Sequence, residues 1–143
     1  RGGRHLDSFL SNIKISRSKV GIINTLSCRF TTTDSKKDSP IMPPQSILNC
    51  DEWFLKQLNF FKNIKLIFTY GFYAIEKFIP GFAYSSNIIP KVYRSKKGIL
   101  IFPLIHQGYY LRNSSASTIF QTKIMPSIAL YISDLKSKSI LTL

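Results

Sequence analysis

The feature that most constrains the fold is residues 51–79, which carry one apolar side along their whole length. The members of this stripe alternate at spacings of four and three, with Lys65 as the interruption; they are Phe54, Leu58, Phe61, Phe68, Phe72, Ile75 and Ile79. The opposite side is mostly polar, so the pattern predicts one long amphipathic helix. Pro80 and Gly81 predict its end. Gly71 is where the helix would break, and a strand over residues 64–70 is the alternative.

The rest of the chain contains only short apolar segments. Residues 99–105, ILIFPLI, form a buried run that predicts a strand, with Pro103 at an edge or bend. The expected fold class is therefore mainly α, with α+β as the alternative. Its main element is the long helix near residues 51–79, broken at Gly71 in one version, followed by short strands or irregular segments.

The amino-terminal region has the composition of a targeting segment. Residues 8–33 contain no acid, carry Lys14, Arg17, Lys19 and Arg29, and are rich in Ser and Thr. This composition resembles a mitochondrial presequence, and a basic arm retained in the protein is the alternative. Three prolines lie in the polar residues that follow. The predicted organisation is a presequence-like arm over 1–33, a Pro-rich linker over 34–45, and one small domain or partner-dependent folded region over 46–143.

Positive charge is the second constraint, since 20 Lys and Arg oppose 7 Asp and Glu for a formal net charge of +13. Such a field attracts phosphates, anionic lipid headgroups or acidic protein surfaces. The densest basic patch consists of Lys91, Tyr93, Arg94, Lys96 and Lys97. We expect it to bind anionic lipid, acidic protein or RNA phosphate, and a solvated loop remains the alternative.

The sequence offers little catalytic chemistry. Asp51 and Glu52 are adjacent, so their carboxylates point in different directions from a helix. His106 is the one histidine outside the amino-terminal arm, and no nucleophile motif accompanies it, so we expect a packed or surface histidine. Neither a glycine-rich phosphate loop nor a CxxC motif occurs. We therefore expect no catalytic residue, no metal and no cofactor.

These observations favour a non-enzymatic accessory subunit of a mitochondrial multi-subunit assembly, at the inner-membrane surface or in the matrix. Its partners would be protein subunits and anionic lipid. The face that docks on them would be Phe54, Leu58, Phe61, Phe68, Phe72 and Ile75. The alternative is a mitochondrial ribosomal or other RNA-binding protein that uses the basic aromatic patch.

Overall fold

The computed structural model describes residues 2–25, 44–83 and 91–141. The chain divides into two compact units, Gly21–Asn63 and a larger unit made of Arg1–Val20 and Ile64–Leu143. The smaller unit contains helix α2, Pro44–Phe60. The larger unit contains helix α1 (Gly2–Asn12), a 3-10 turn (Arg17–Lys19), β1 (Leu66–Tyr70), α3 (Phe72–Phe78), β2 (Tyr93–Arg94), β3 (Leu100–Leu104), α4 (Gln107–Arg112), α5 (Ser114–Ile119), a π-helical turn (Phe120–Ile124) and α6 (Met125–Ser137).

The predicted fold class is confirmed, since the structure is mostly helical with a small sheet. The single helix over 51–79 is wrong, and the alternative that placed a strand near 64–70 is right. Helix α2 ends at Phe60, and the sequence LIFTY forms β1. The reason is local composition, because a run of β-branched and aromatic residues suits a pleated surface better than a helix. Gly71 separates β1 from α3, which ends at Phe78 before Pro80.

The sheet has the order β1-β3-β2, with β1 and β3 parallel and β2 antiparallel to β3. The strand predicted over 99–105 is confirmed as β3, and all five of its residues are buried. Pro103 lies in the central strand, where a missing N–H is usually costly. It is tolerated because β2 pairs only with Leu100 and Ile101, so no β2 ladder bond is lost at Pro103.

Helix α1 is part of the core of the larger unit. Phe9, Leu10 and Ile13 are each at most 3% exposed. The Phe9 ring packs edge-on against Phe68 of β1, with centroids 5.0 Å apart. Residues 2–20 therefore belong to the folded unit that contains the sheet, which composition alone did not indicate. The boundaries predicted at 33 and 45 stay predictions, and residues 26–43 lie outside the described residues.

The docking role predicted for six apolar residues stays a prediction, but the single helix that was expected to carry them is not continuous. Phe54 and Leu58 lie on α2, and Phe61 follows that helix. Phe68 lies in β1, whereas Phe72 and Ile75 lie on α3. Ile75 is only 1% exposed and belongs to the interior. Among the described residues, no helix is both long enough and apolar enough to cross a membrane.

Candidate functional site

Two neighbouring parallel strands end side by side in the larger unit. β1 and β3 pair in register from Leu66 with Leu100 to Tyr70 with Leu104. The residues that follow them, Gly71 and Ile105, therefore leave the sheet at the same edge. The carboxyl edge of parallel strands is where ligands bind in open α/β sheets.

Gly71 brings the two chain segments into contact at this edge. Its amide donates a hydrogen bond to the Leu104 carbonyl oxygen at 2.8 Å. Its backbone has φ +87° and ψ 168°, a region that is essentially restricted to glycine. A Cβ at this position would lie 3.0 Å from Cβ of His106 and 3.3 Å from its Cδ2. A side chain at position 71 would therefore displace the histidine.

His106 follows β3 and caps the amino end of α4. Its side chain is exposed, and its Nδ1 accepts a hydrogen bond from the Gly108 amide at 3.1 Å. A ring nitrogen that accepts a hydrogen bond carries no proton, so the proton of the neutral imidazole lies on Nε2. The structure thus fixes both the orientation of the ring and the nitrogen that donates. Nε2 is therefore the ring nitrogen that can donate a hydrogen bond at the carboxyl edge of the sheet.

A cation, Arg112, lies one turn after Gly108 on α4. Arg112 donates from Nε to the Gly108 carbonyl oxygen at 3.1 Å, and its side chain is exposed. Gly108 contacts both functional side chains, because a Cβ there would lie 3.1 Å from His106 Nδ1 and 3.9 Å from an Arg112 guanidinium nitrogen. The imidazole and the guanidinium therefore share one glycine as their common neighbour.

Two aromatic side chains follow Gly71 directly. Phe72 is 48% exposed and Tyr73 is 37% exposed. Their rings meet nearly perpendicularly, with centroids 5.5 Å apart and an interplanar angle of 76°. They lie at the first two positions of α3, whose fourth residue, Ile75, is buried and anchors the helix. The edge therefore combines a hydrogen-bond donor, a cation and an exposed aromatic pair.

The carboxylates described in the larger unit have contacts elsewhere. Asp7 lies 3.9 Å from Arg17, and Asp134 pairs with Lys138 at 2.8 Å. Glu76 accepts a hydrogen bond from the Gly81 amide at 2.9 Å. In residues 2–25, 44–83 and 91–141, no three His, Cys, Asp or Glu side chains come together as metal ligands. The expectation that no metal or cofactor is bound stays a prediction.

The predicted basic patch lies at the other end of β3. Tyr93 and Arg94 form β2, and Lys96 and Lys97 occupy the turn that leads into β3. Lys91, Arg94, Lys96 and Lys97 are exposed, whereas the Tyr93 ring packs against Phe82 with centroids 5.9 Å apart. The aromatic residue expected to stack on a nucleobase therefore has an internal partner. The binding role of the patch stays a prediction.

Two clefts lie away from His106. The larger, of about 470 Å³, is lined by residues 79–83 together with Lys91 and Tyr93. The smaller, of about 280 Å³, is lined by α1 and the π-helical turn, including His5, Phe9 and Phe120. Neither includes the residues at the carboxyl edge of β1 and β3. The side chains of His106, Arg112, Phe72 and Tyr73 at this edge are exposed.

Sequence reasoning identified His106 as the best catalytic candidate but rejected it for lack of a nucleophile motif. A donor that stabilises charge needs no nucleophile. The usable signal was the pair of apolar runs, LIFTY before Gly71 and LIFPLI before His106, which predicts parallel strands whose ends meet. Arg112 and Tyr73 were not among the predicted site residues, and Phe72 was predicted only as part of a docking face on a continuous helix.

The family model of the Uracil DNA glycosylase superfamily matches residues 1–129, which is most of the chain. This match overturns four expectations drawn from composition: the non-enzymatic accessory subunit, the ribosomal or RNA-binding alternative, the inner-membrane keywords, and the protein-subunit, lipid or RNA partners. It indicates a glycosylase and a DNA substrate instead. Positive charge predicts attraction to an anionic partner, but it does not distinguish DNA phosphate from lipid or RNA. The chain belongs to the Uracil DNA glycosylase superfamily.

Proposed function

We propose that this protein excises uracil from DNA by hydrolysis of the bond between uracil N1 and deoxyribose C1′. The oxygen of water bonds to C1′, the C1′–N1 bond breaks with its electron pair passing to uracil, and the proton that water loses ends on uracil, so the products are free uracil and an abasic site. The observation that carries the proposal is His106. Its Nδ1 is satisfied by the Gly108 amide at the carboxyl edge of the sheet, in a chain that belongs to this superfamily.

The departing uracil is the group that needs stabilisation. The electron pair released from the C1′–N1 bond spreads over the ring and its two carbonyl oxygens, so negative charge develops on those oxygens. A fixed donor aimed at a developing oxyanion stabilises the transition state more than the ground state. His106 Nε2–H is such a donor, since the hydrogen bond at Nδ1 holds the tautomer and the ring.

DNA must reach this edge with the base outside the helix. A base within a duplex is inaccessible, so glycosylases extrude the target nucleotide. The exposed Arg112 guanidinium lies close to His106 through Gly108, where it would contact a backbone phosphate near the extruded nucleotide. Asp7, Glu76 and Asp134 are paired elsewhere. The residues at this edge therefore act on the leaving group and the phosphate.

The test distinguishes two roles of His106: Nε2–H as the donor to uracil and Nδ1 as the cap of α4. His106 both caps α4 and presents Nε2–H, and Asn is a good N-cap whose oxygen replaces Nδ1 as acceptor. Asn113 already does this for α5, where it accepts from Ala116 at 3.0 Å. We therefore expect His106→Asn to keep its thermal unfolding midpoint and to release uracil about 100- to 1000-fold more slowly. The measurement is strand cleavage at abasic sites after incubation with uracil-containing oligonucleotides.

Asn113→Ala serves as the matched control, because it removes a cap of the same kind without removing the donor. We expect this variant to lose about 1 kcal/mol of stability and to retain uracil release. Uracil release by His106→Asn within threefold of the unsubstituted protein would contradict the role of Nε2. Absence of uracil release by the unsubstituted protein, on both single-stranded and duplex DNA, would overturn the proposed function.

We further propose a mitochondrial location. The support is the acid-free, basic composition of residues 8–33. Part of that segment belongs to α1 and packs in the core. Cleavage of a presequence would therefore remove residues that the core contains. Fractionation of cells that express the tagged full chain tests the location, and exclusion from mitochondria would overturn it.

A further inference from the structure

Resting on the proposed function, a further inference concerns the smaller cleft, of about 280 Å³, between α1 and the π-helical turn. We propose that this cleft binds free uracil, the base that the proposed reaction releases, at a place that does not include His106. Its polar lining consists of His5, Ser8, Asn12 and Gln121. The volume lies just below the range of clefts that hold drug-sized ligands, so it suits a single heterocycle.

The described residues that line this cleft carry no formal charge at neutral pH. Its one titratable side chain is that of His5, whose ring packs against Phe120 with centroids 5.4 Å apart. Burial lowers the pKa of His5, so the imidazole is neutral. The larger cleft, next to the hairpin formed by β2 and β3, differs because the exposed Lys91 lines it. The smaller cleft therefore suits a neutral ligand and offers no cation to a phosphate.

The carboxamide of Asn12 presents an oriented acceptor at the cleft. Its Nδ2 donates to the Ser8 carbonyl oxygen at 2.8 Å, one turn back along α1. Because a carbonyl oxygen can only accept, this contact identifies which end of the carboxamide is the nitrogen. Oδ1 makes no hydrogen bond within residues 2–25, 44–83 and 91–141. A ligand that pairs with Oδ1 must therefore offer a donor.

The carboxamide of Gln121 comes from the other wall of the cleft, the π-helical turn. Gln121 is exposed, and its Nε2 carries two N–H donors. Uracil has an N3–H that lies between two carbonyl groups, so it offers a donor with an acceptor on either side. Because both carboxamides line one small cleft, N3–H can bond to Asn12 Oδ1 while a neighbouring carbonyl oxygen accepts from Gln121. This pair of hydrogen bonds selects a heterocycle with an imide edge.

The floor of the cleft is apolar and includes an unusual backbone turn. Phe9 and Phe120 are each 1% exposed, with ring centroids 6.1 Å apart, and Met125 lies beside them. In the π-helical turn, the Met125 amide donates to the Phe120 carbonyl oxygen five residues back. Such turns are rare and occur frequently at functional sites. The cleft thus combines an apolar floor with polar groups at its rim, as in other sites for small heterocycles.

The experiment measures binding of free uracil by isothermal titration calorimetry, in the absence of DNA. Asn12→Leu keeps the approximate size of the side chain and removes the acceptor. We expect it to weaken uracil binding about 5- to 150-fold, the range for a ligand donor left without an acceptor. 3-Methyluracil has a methyl group in place of the N3 hydrogen, so the unsubstituted protein should bind it more weakly than uracil by a similar factor. Asn12→Leu should bind the two compounds equally.

Two further variants make the test independent of any effect of Asn12→Leu on folding. Gln121→Leu removes the donor on the other wall and should also weaken uracil binding. Asn49→Leu is the matched control, because Asn49 is an exposed asparagine that bonds to Gln45 one turn earlier, at 3.0 Å, and does not line the cleft. It should bind uracil normally. His106→Asn should retain the component of uracil binding that Asn12→Leu loses.

Equal uracil binding by the unsubstituted protein, Asn12→Leu and Gln121→Leu would overturn this inference. Loss of all uracil binding in His106→Asn would also overturn it, since uracil would then bind at the carboxyl edge alone. So would equal binding of uracil and 3-methyluracil by the unsubstituted protein. Uracil release from DNA is measured separately. A protein that binds free uracil in the cleft but releases none from DNA contradicts only the proposed function, whereas one that releases uracil without binding it in the cleft contradicts only this inference.

Discussion

The two ends of strand β3 use similar parts and differ in what those parts touch. At the amino end, Gly98 has φ +79° in a turn whose tip carries Lys96 and Lys97, and a Cβ on Gly98 would meet nothing within 4 Å. At the carboxyl edge, Gly71 has φ +87° and lies against His106. Both glycines adopt a positive φ, but only the missing side chain of Gly71 makes room for a neighbouring side chain, that of His106.

Charge differs between the ends in the same way. The basic patch has four exposed cations within residues 91–97, so it is recognisable from the sequence composition alone. The carboxyl edge has the single cation Arg112, but Gly108 fixes it beside an oriented imidazole. The two ends are separated by about 15 Å along a five-residue strand. The largest number of cations therefore lies in the basic patch, whereas the cation held next to a functional side chain lies at the carboxyl edge.

The largest expected effect in this comparison is that of alanine at the two glycines. Each substitution places a Cβ at positive φ and should lower the free energy of unfolding by about 1–3 kcal/mol. Only Gly71→Ala also pushes against His106, so it should reduce uracil release about 100-fold further. Urea unfolding and uracil release are measured for both variants. If Gly98→Ala loses activity to the same extent, the ends are not functionally distinct.

An intermediate effect is expected for the cations. Arg112→Gln should weaken DNA binding and make the plot of log affinity against log salt concentration shallower by about 0.9, the value for one lost phosphate contact. Lys97→Gln makes the same change of charge at the other end and should leave the slope unaltered. Binding to an abasic-analogue duplex over a series of salt concentrations measures both. A reduced slope for Lys97→Gln would extend the DNA contact to the hairpin.

The smallest expected effect concerns His5, which packs behind the carboxyl edge against Tyr110 and Phe120. Burial lowers the pKa of His5 below its ordinary 6.5. On acidification the unfolded chain takes up a proton near pH 6.5 that the folded state resists. The free energy of unfolding should therefore fall as the pH drops below about 6.5 and level off once the folded state is also protonated.

His5→Phe keeps the ring contacts and removes the titration, so this part of the pH dependence should vanish. His106→Asn should retain it, because His5 is unchanged. Urea unfolding at pH 7.5 and pH 5.0 compares the three proteins. An identical pH dependence in His5→Phe would assign the effect to another group.

Parts of the fold could be predicted because they depend on local pattern. The apolar run before His106 predicted β3, and Pro80 with Gly81 predicted the end of the helical region. The long helix was predicted wrongly because Phe68, Phe72 and Ile75 satisfy a helical period by coincidence, while Ile67, Thr69 and Tyr70 give the strand its preference. The predicted break at Gly71 lies where β1 ends and α3 begins, since glycine is the residue at which a helical pattern is weakest.

The site was harder to predict because its residues come together only through pairing of distant strands. His106 had no motif of its own, and its role depends on the Gly108 amide and on space left by Gly71. Composition also concealed α1. Residues 8–12 of this helix lie in the acid-free segment that resembles a presequence, although Phe9 and Leu10 are buried. The same residues satisfy both patterns, and only packing separates them.

The parallel register of β1 and β3 also has a kinetic consequence. Leu66 pairs with Leu100, so 34 residues of chain must be closed into a loop before the first ladder bond forms. Gly71 and His106 meet only after that pairing is complete, whereas α4 and its cap can form from neighbouring residues alone. The imidazole is thus oriented by a local hydrogen bond, whereas Gly71 is brought next to it by non-local strand pairing. In a chain with native helices but an unpaired sheet, His106 would be oriented by the Gly108 amide but would not yet lie next to Gly71.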